Sequence, residues 1–340
     1  MGNRKVLVTG GAGYIGSHTV VELFQAGYTP VILDDFSNSD KKTINRINKI
    51  LNTEVKFFEG DCGNEDYLEK IFLLEKDISG VIHFAASKAV AESVQNPLKY
   101  YDNNVGSMIS LLKVMNRSDI NCLVFSSSCT VYGNSAEQPV RETSPVLPAE
   151  SPYGNTKHVC EQIIRDFSFS KESFKALSLR YFNPIGAHPS ALIGELPIGT
   201  PANLVPYISQ TAAGIREELT VFGNDYNTPD GTCVRDYIHV IDLAKAHIRA
   251  LDYIFQNKSA GYDVINCGTG KGNTVLEVIK TFEKVNNLMV NYSIGTRRPG
   301  DVEAIYSNVD KAKDLIGWQS SLTLEDALRD AWKWEQTLQK

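Results

Sequence analysis

Val6–Gly16 reads VLVTGGAGYIG, an apolar, β-branched run that breaks into glycines and resumes as a helix-like segment. Gly11, Gly13 and Gly16 satisfy G-x-G-x-x-G, and Gly10, Gly13 and Gly16 satisfy G-x-x-G-x-x-G. Glycines are needed where a backbone turns tightly and approaches a pyrophosphate at a helix N-terminus. A glycine pattern alone is often only a turn. Here it lies between a strand and a helix, and an acid, Asp34, closes the second strand near the ~20-residue offset at which a carboxylate meets the adenosine ribose. Asp35 adds negative charge and no arginine stands beside it, so the expected dinucleotide is NAD rather than NADP. Asp61, after the third strand, reads equally as a partner for the adenine edge or as a helix N-cap.

Outward from that turn, strand-like runs (5–9, 29–34, 55–60, 80–85, 121–127, 174–182) alternate with helix-like segments (14–26, 41–51, 65–74, 97–115, 152–170). This rhythm predicts an α/β fold, a Rossmann-type doubly wound parallel sheet. The strands are apolar on both sides, as a sheet covered on both faces requires. After Phe182 the chain becomes rich in Pro, Gly and Asn up to Asp236. That stretch holds only short helical segments such as 203–214; a strand over 262–268 and helices near 274–285 and 322–337 follow. The expected organisation is a NAD-binding domain over 1–183, with part of 237–268 returning to it. A smaller, loop-rich substrate domain over 184–340 would stand at the carboxyl edge of the sheet, where open α/β sheets place their ligands.

The 340 residues are 42% hydrophobic and 22% charged, with a formal net charge of -6. Those values fit a globular protein and argue against a broad nucleic-acid footprint. No apolar run approaches the ~18 residues of a membrane-spanning helix, and the start lacks the apolar core of a signal peptide. Cys62, Cys122, Cys129, Cys160, Cys233 and Cys267 include no C-x-x-C pair, which points to reduced thiols in the cytoplasm and to no metal site.

SPYGNTK (151–157) is a capped helix start, with Pro152 at the first helical position and Tyr153 and Lys157 four apart on one face. By itself the pair is a surface feature. A cation ~4 Å from a phenol at an effective dielectric of ~20 is worth roughly 4 kcal/mol, about three pKa units, so Lys157 together with the positive nicotinamide ring of a bound NAD is expected to bring Tyr153 close to neutrality. FSSSCTVYG (125–133) follows the fifth strand, so its serines emerge at the same edge.

Together with TGGAGYIGSH, VIHFAASKAV, ESVQNPLKYYDNNV, LRYFNPIGAHPS, FGNDY and VRDYIHV, these motifs resemble the extended short-chain dehydrogenase/reductases, and within them the UDP-hexose 4-epimerase family, over nearly the whole chain. The resemblance implies a catalytic triad of Ser128, Tyr153 and Lys157, with Lys157 also on the nicotinamide ribose. It implies cofactor contacts at Tyr14, Ile15, Phe84, Ala85, Lys88, Asn103 and Ser126. As plain sequence, Phe84 and Ala85 are only strand-end residues. Related dehydratases carry an acid pair directly after the serine, where this chain has Cys129 and Thr130. Dehydration is therefore not expected.

For a UDP-sugar, Arg235 and Arg298 match positions that clamp the diphosphate, Asn183 and Asn203 match amide contacts near it, and Phe222 and Asp301 match residues around the uridine. Taken singly, Arg235 beside Asp236 could be a surface ion pair and Asn183–Pro184 a turn. Ile305 matches the place where the family sets sugar size, and isoleucine is neither the bulky tyrosine that excludes N-acetylated sugars nor a small residue that admits them. Val105, Met108, Leu112 and Met115 form a helical stripe of core type, on a helix that the family pairs across a homodimer. The implied activity is interconversion of UDP-galactose and UDP-glucose through a 4-keto sugar on tightly bound NAD. UDP-pentose epimerisation and an inactive NAD-binding protein are the alternatives.

Overall fold

The computed structural model describes residues 4–256, 261–298 and 300–339. Seven strands form the main sheet: β1 (Lys5–Thr9), β2 (Thr29–Asp34), β3 (Lys56–Glu59), β4 (Ile78–His83), β5 (Cys122–Ser128), β6 (Lys175–Tyr181) and β7 (Tyr262–Cys267). All pair in parallel, in the order β7-β6-β5-β4-β1-β2-β3. The order reverses between β1 and β4, and there the carboxyl ends of the strands open a crevice.

Strand residues alternate between two cores. Val6, Val8, Ile32, Ile82 and Val124 pack with α1 (Tyr14–Gln25) and α2 (Lys42–Leu51) on one face. Leu7, Val31, Val81, Leu123 and Phe125 pack on the other with α3 (Glu65–Leu74), α4 (Ser107–Arg117) and α5 (Pro152–Ser170). The period of two puts Ser127 on the Phe125 face and Ser126 and Ser128 on the opposite one. The helix α6 (Val240–Gln256), which the sequence reading missed, packs on the first face through Leu243, Ala246 and Leu251 and leads into β7. The missed helix follows a segment dominated by turn residues.

The helix expected over 97–115 is not one helix. Pro97–Tyr100 passes into a π-helical turn, Tyr101–Gly106, before α4 begins. Asn104 explains the break: its side chain accepts from the Ser87 amide (2.8 Å) and donates to the Ser87 carbonyl and the Thr156 hydroxyl (3.0 Å each). A buried amide with those partners outweighs one helical hydrogen bond. Met108, Leu112 and Met115 are buried as the stripe predicts.

A third core forms at the carboxyl edge. Val205, Ile208, Leu219, Val221, Val278, Phe282 and Leu328 join the helices Leu204–Ala212, Val275–Asn286 and Leu324–Leu338 to the paired strands Leu219–Phe222 and Tyr292–Gly295. Asn183–Ile185 is not a turn but a short strand beside Tyr237–His239. Among the described residues no helix is long and apolar enough to cross a membrane.

Candidate active site

The glycine turn is shaped first by sterics within the chain. Gly10 has φ +70°, and a Cβ there would stand 2.7 Å from the Ala85 amide nitrogen. A Cβ on Gly16 would stand 2.1 Å from the Gly10 carbonyl oxygen. Both positions therefore need glycine so that α1 can start directly off β1 and against the end of β4. Gly13 precedes α1 and no side chain caps that helix, so its first amides, from Tyr14 and Ile15 onward, face the turn. That arrangement fits an anionic pyrophosphate.

Asp34 is buried at the end of β2. One carboxylate oxygen accepts from the Ala12 amide (2.9 Å), the other from the Phe36 amide (2.9 Å) and the Ser39 hydroxyl (2.8 Å). It locks the turn to β2. Asp61 is not the N-cap of α3: Asn64 caps it, accepting from the Tyr67 amide, while Asp61 accepts from Gly63. The strand expected to include Phe84 and Ala85 ends at His83, and both amides donate instead to the Thr9 carbonyl.

The expected catalytic residues converge where β5 ends and α5 begins. Ser151 caps α5, accepting from the Gly154 amide (3.2 Å), with Pro152 at the first position. Lys157 is buried and donates to the Ser126 carbonyl (2.8 Å); its Nζ lies 5.9 Å from the Tyr153 ring centroid. The fall expected at Tyr153 joins Lys157 to the positive ring of bound NAD; the protein's own burial acts against it and pushes the hydroxyl up to about 12, the Ser128 hydroxyl pulling the other way. Burial also lowers Lys157 to about 8, opposed by Cys160 and Glu161. Desolvation is the largest influence on both groups, and the Lys157 ammonium spends one of its donors on the Ser126 carbonyl.

Ser128 accepts from both the Thr130 amide (3.2 Å) and the Thr130 hydroxyl (2.9 Å). With both lone pairs engaged, its remaining capacity is to donate its proton. Thr130 was not anticipated as a partner. Cys129 is buried and its thiol is pushed up to about 12, so it supplies no acid–base group near neutrality. Ser126 bonds through its hydroxyl to Tyr181.

The remaining candidates lie in two groups. Near α1, the Tyr14 hydroxyl donates to the Gly186 carbonyl (2.7 Å). Lys88 lies 3.8 Å from a Glu195 carboxylate oxygen that also accepts from Asn203 (2.6 Å). Asn103 donates to Asn104 (2.9 Å). Glu195 thus links an expected cofactor residue to an expected substrate residue, a role no local motif announces. In the second group, Arg298 pairs with Asp301 (2.7 Å) and lies 5.6 Å over the Phe222 ring. Arg235 reaches the same carboxylate at 3.9 Å and donates to the Val234 carbonyl.

Arg235 does not pair with Asp236. That carboxylate is buried and turned away, accepting from Thr269, Gly270 and Ser307. Asn183 is held by its amide on the Asp236 carbonyl (2.9 Å). Ile305 pairs in register with Arg235 and packs with Cys129, Tyr132 and Phe182 behind Ser128. It connects the two ends of the site.

Comparison with known proteins gives the family. The GDP-mannose 4,6 dehydratase family profile matches residues 7–331. A UDP-glucose 4-epimerase of Dictyostelium discoideum is 49% identical over 97% of this chain and 95% of its own length. The UDP-glucose 4-epimerase of Bifidobacterium longum, solved with NAD+ and UDP, superposes with a TM-score of 0.93 at 46% identity, covering 98% of both chains. That of Stenotrophomonas maltophila, solved with NAD and formylated UDP-arabinopyranose, gives 0.96 at 46% identity, covering 99% of both. The profile is named for a dehydratase, but the acid pair that would follow Ser128 in such an enzyme is here a buried thiol and a hydroxyl spent on Ser128 itself. The chain belongs to the UDP-glucose 4-epimerases of the extended short-chain dehydrogenase/reductase superfamily.

Proposed function

We propose that this protein interconverts UDP-galactose and UDP-glucose by oxidising and re-reducing carbon 4 of the sugar, with NAD retained throughout. The observation that carries the reading is Ser128, Tyr153 and Lys157 gathered at the carboxyl edge of β5, with Cys129 and Thr130 leaving no acid pair for elimination.

The turn Gly10–Gly16 and the first amides of α1 would hold the pyrophosphate, and Asp34 the adenosine ribose. Asp61, Phe84, Ala85, Lys88, Asn103 and Ser126 would line the rest of the dinucleotide, and Lys157 would hold its second ribose. When bound, oxidised NAD supplies the two-electron acceptor and a positive charge beside Tyr153 that favours the phenolate. Tyr153 then takes the proton from the sugar 4-hydroxyl and returns it after the ring has turned over. Ser128 donates to the reacting oxygen, the one role Thr130 leaves it. Lys157, protonated, stabilises charge on the Tyr153 oxygen.

Arg235 and Arg298 would clamp the diphosphate, with Asn183 and Asn203 alongside and Phe222 and Asp301 at the uridine. Residues 1–183, with part of 237–268, form the cofactor unit in this reading, and 184–340 the UDP-sugar unit. A homodimer in the cytoplasm completes it. Exposed Leu98 and Phe169, at 81% and 82%, support a second copy on the face built by 97–117 and α5, and six free cysteines support a reducing compartment.

The test is proton NMR of purified protein with UDP-galactose, expected to show UDP-glucose accumulating. UDP-N-acetylgalactosamine and UDP-xylose in parallel would report how Ile305 sets the range. No conversion of any of the three would exclude the function, and a monomer by sedimentation at micromolar concentration would exclude the dimer.

A further inference from the structure

The catalytic helix carries a buried acid that the chemistry above does not use. Glu161 lies one turn beyond Lys157 on α5, and it is 4% exposed. Across from it, Ser127 and Arg180 are register partners on β5 and β6, so their side chains share one face of the sheet. Glu161 descends between them. One carboxylate oxygen accepts from the Ser127 hydroxyl (2.5 Å) and Arg180 Nε (2.9 Å), the other from Arg180 Nη2 (2.5 Å). Arg180 also lies 4.9 Å over the Tyr132 ring, and Tyr132 donates to Asn266 (2.6 Å).

Ser127 thus stands between Ser126, whose carbonyl takes the Lys157 proton donor, and Ser128, the proposed proton donor to substrate. Three consecutive serines serve three different partners because a strand alternates its faces. We propose that Glu161 is a positioning residue for the catalytic pair: clamped by Ser127 and Arg180, it seats the Tyr153–Lys157 helix on the sheet and supplies the counter-charge of Lys157. The proposal rests on the assignment of Tyr153 and Lys157 to catalysis.

The groups that act on Lys157 are Tyr153, Cys160 and Glu161 from its own helix and His83 from β4. Burial keeps His83 neutral, down to about 3. Those that face Glu161 are Ser127, Arg180 with Tyr132 behind it, Lys157, Cys160, and Tyr262 from β7. Among the groups around Lys157, Glu161 supplies the carboxylate, which also carries Arg180 as its own counter-ion. Its loss should let the ammonium give up its proton at lower pH.

The experiment compares the wild-type holoenzyme with Glu161→Gln and with the charge-neutral pair Glu161→Met/Arg180→Met. Removing both partners of a buried pair is far milder than removing one, so the double variant serves if the single one fails to fold. Turnover of UDP-galactose is followed from about pH 6 to about pH 10, and lysine ε-carbon NMR follows the Lys157 titration, with Lys157→Met assigning the signal. In Glu161→Gln the alkaline fall in kcat and the Lys157 titration should move down by about one pH unit, with KM changed by less than about threefold. In the double variant, which removes the Arg180 cation with the anion, both should move the same way by less. An unmoved titration with kcat reduced equally at every pH would make Glu161 a packing residue and overturn the proposal. A wild type that does not turn over UDP-galactose would sink the proposed function, while the NMR titration would still decide the role of Glu161.

Discussion

The two ends of the site hold their charges in opposite ways. At the proposed catalytic end Lys157, Glu161 and Arg180 are all buried, each tied to a fixed strand or helix partner. At the proposed nucleotide end Arg298 is half exposed, pairs with Asp301 three residues on, and lies over an exposed Phe222. Desolvation makes the first end rigid and its proton affinities unusual. At the second end the Arg298–Asp301 pair, exposed on the arginine side, is weak in water, worth ~0–1 kcal/mol, which suits the proposed exchange of Arg298 to a diphosphate. In the proposed function, chemistry would be served by a preorganised cluster and binding by donors that can change partners.

The largest effect should come from breaking the buried end. Tyr153→Phe removes only the hydroxyl, so bound NAD should be retained, measured by absorbance after denaturation, while kcat falls by about 10²–10⁴-fold. Turnover within a factor of a few of wild type would refute Tyr153 as the proton carrier.

At the exchangeable end the change should appear in KM. Arg235→Ala loses charge-assisted bonds to the diphosphate, expected to raise KM for UDP-galactose about 10- to 100-fold with kcat nearly kept. Arg298→Ala, more exposed and already shared with Asp301, should raise it less than about tenfold. A kcat loss larger than the KM change in either variant would mean the two ends are not separable.

The smallest effect concerns stability. Burial lowers His83 and His18 to about 3 and His247 to about 4, against an ordinary 6.5. As pH falls below 6.5 the unfolded chain takes up protons that these folded imidazoles refuse, so stability drops through that window and is unaffected above it. The thermal midpoint by circular dichroism should fall by several degrees between about pH 7 and about pH 5. A flat midpoint would show that the buried histidines are protonated or relieved by water.

Much of this was legible in local pattern. The glycine turn, Asp34, the strand–helix rhythm and the capped start of α5 are short-range features, and each stands where its spacing predicts. The hydrophobic stripe on α4 was legible for the same reason. What escaped local reading depends on partners far along the chain. The break at Tyr101–Gly106 answers to Ser87 and Thr156. The inward turn of Asp236 answers to Thr269 and Ser307. Glu161 was visible as a residue one turn beyond Lys157, but nothing nearby in sequence tells that Ser127 and Arg180 await it.

The sequence by itself determined that a parallel sheet would carry a dinucleotide turn at β1 and a tyrosine–lysine pair on one helix face, because periodicity, capping and glycine conformation act over a few residues. Only the tertiary structure decided where the Lys157 charge points and how tightly Tyr153 holds its proton. Those depend on burial and on groups brought together from β4, β5, β6 and α5. Desolvation is a property of the packed whole, and no local spacing carries it.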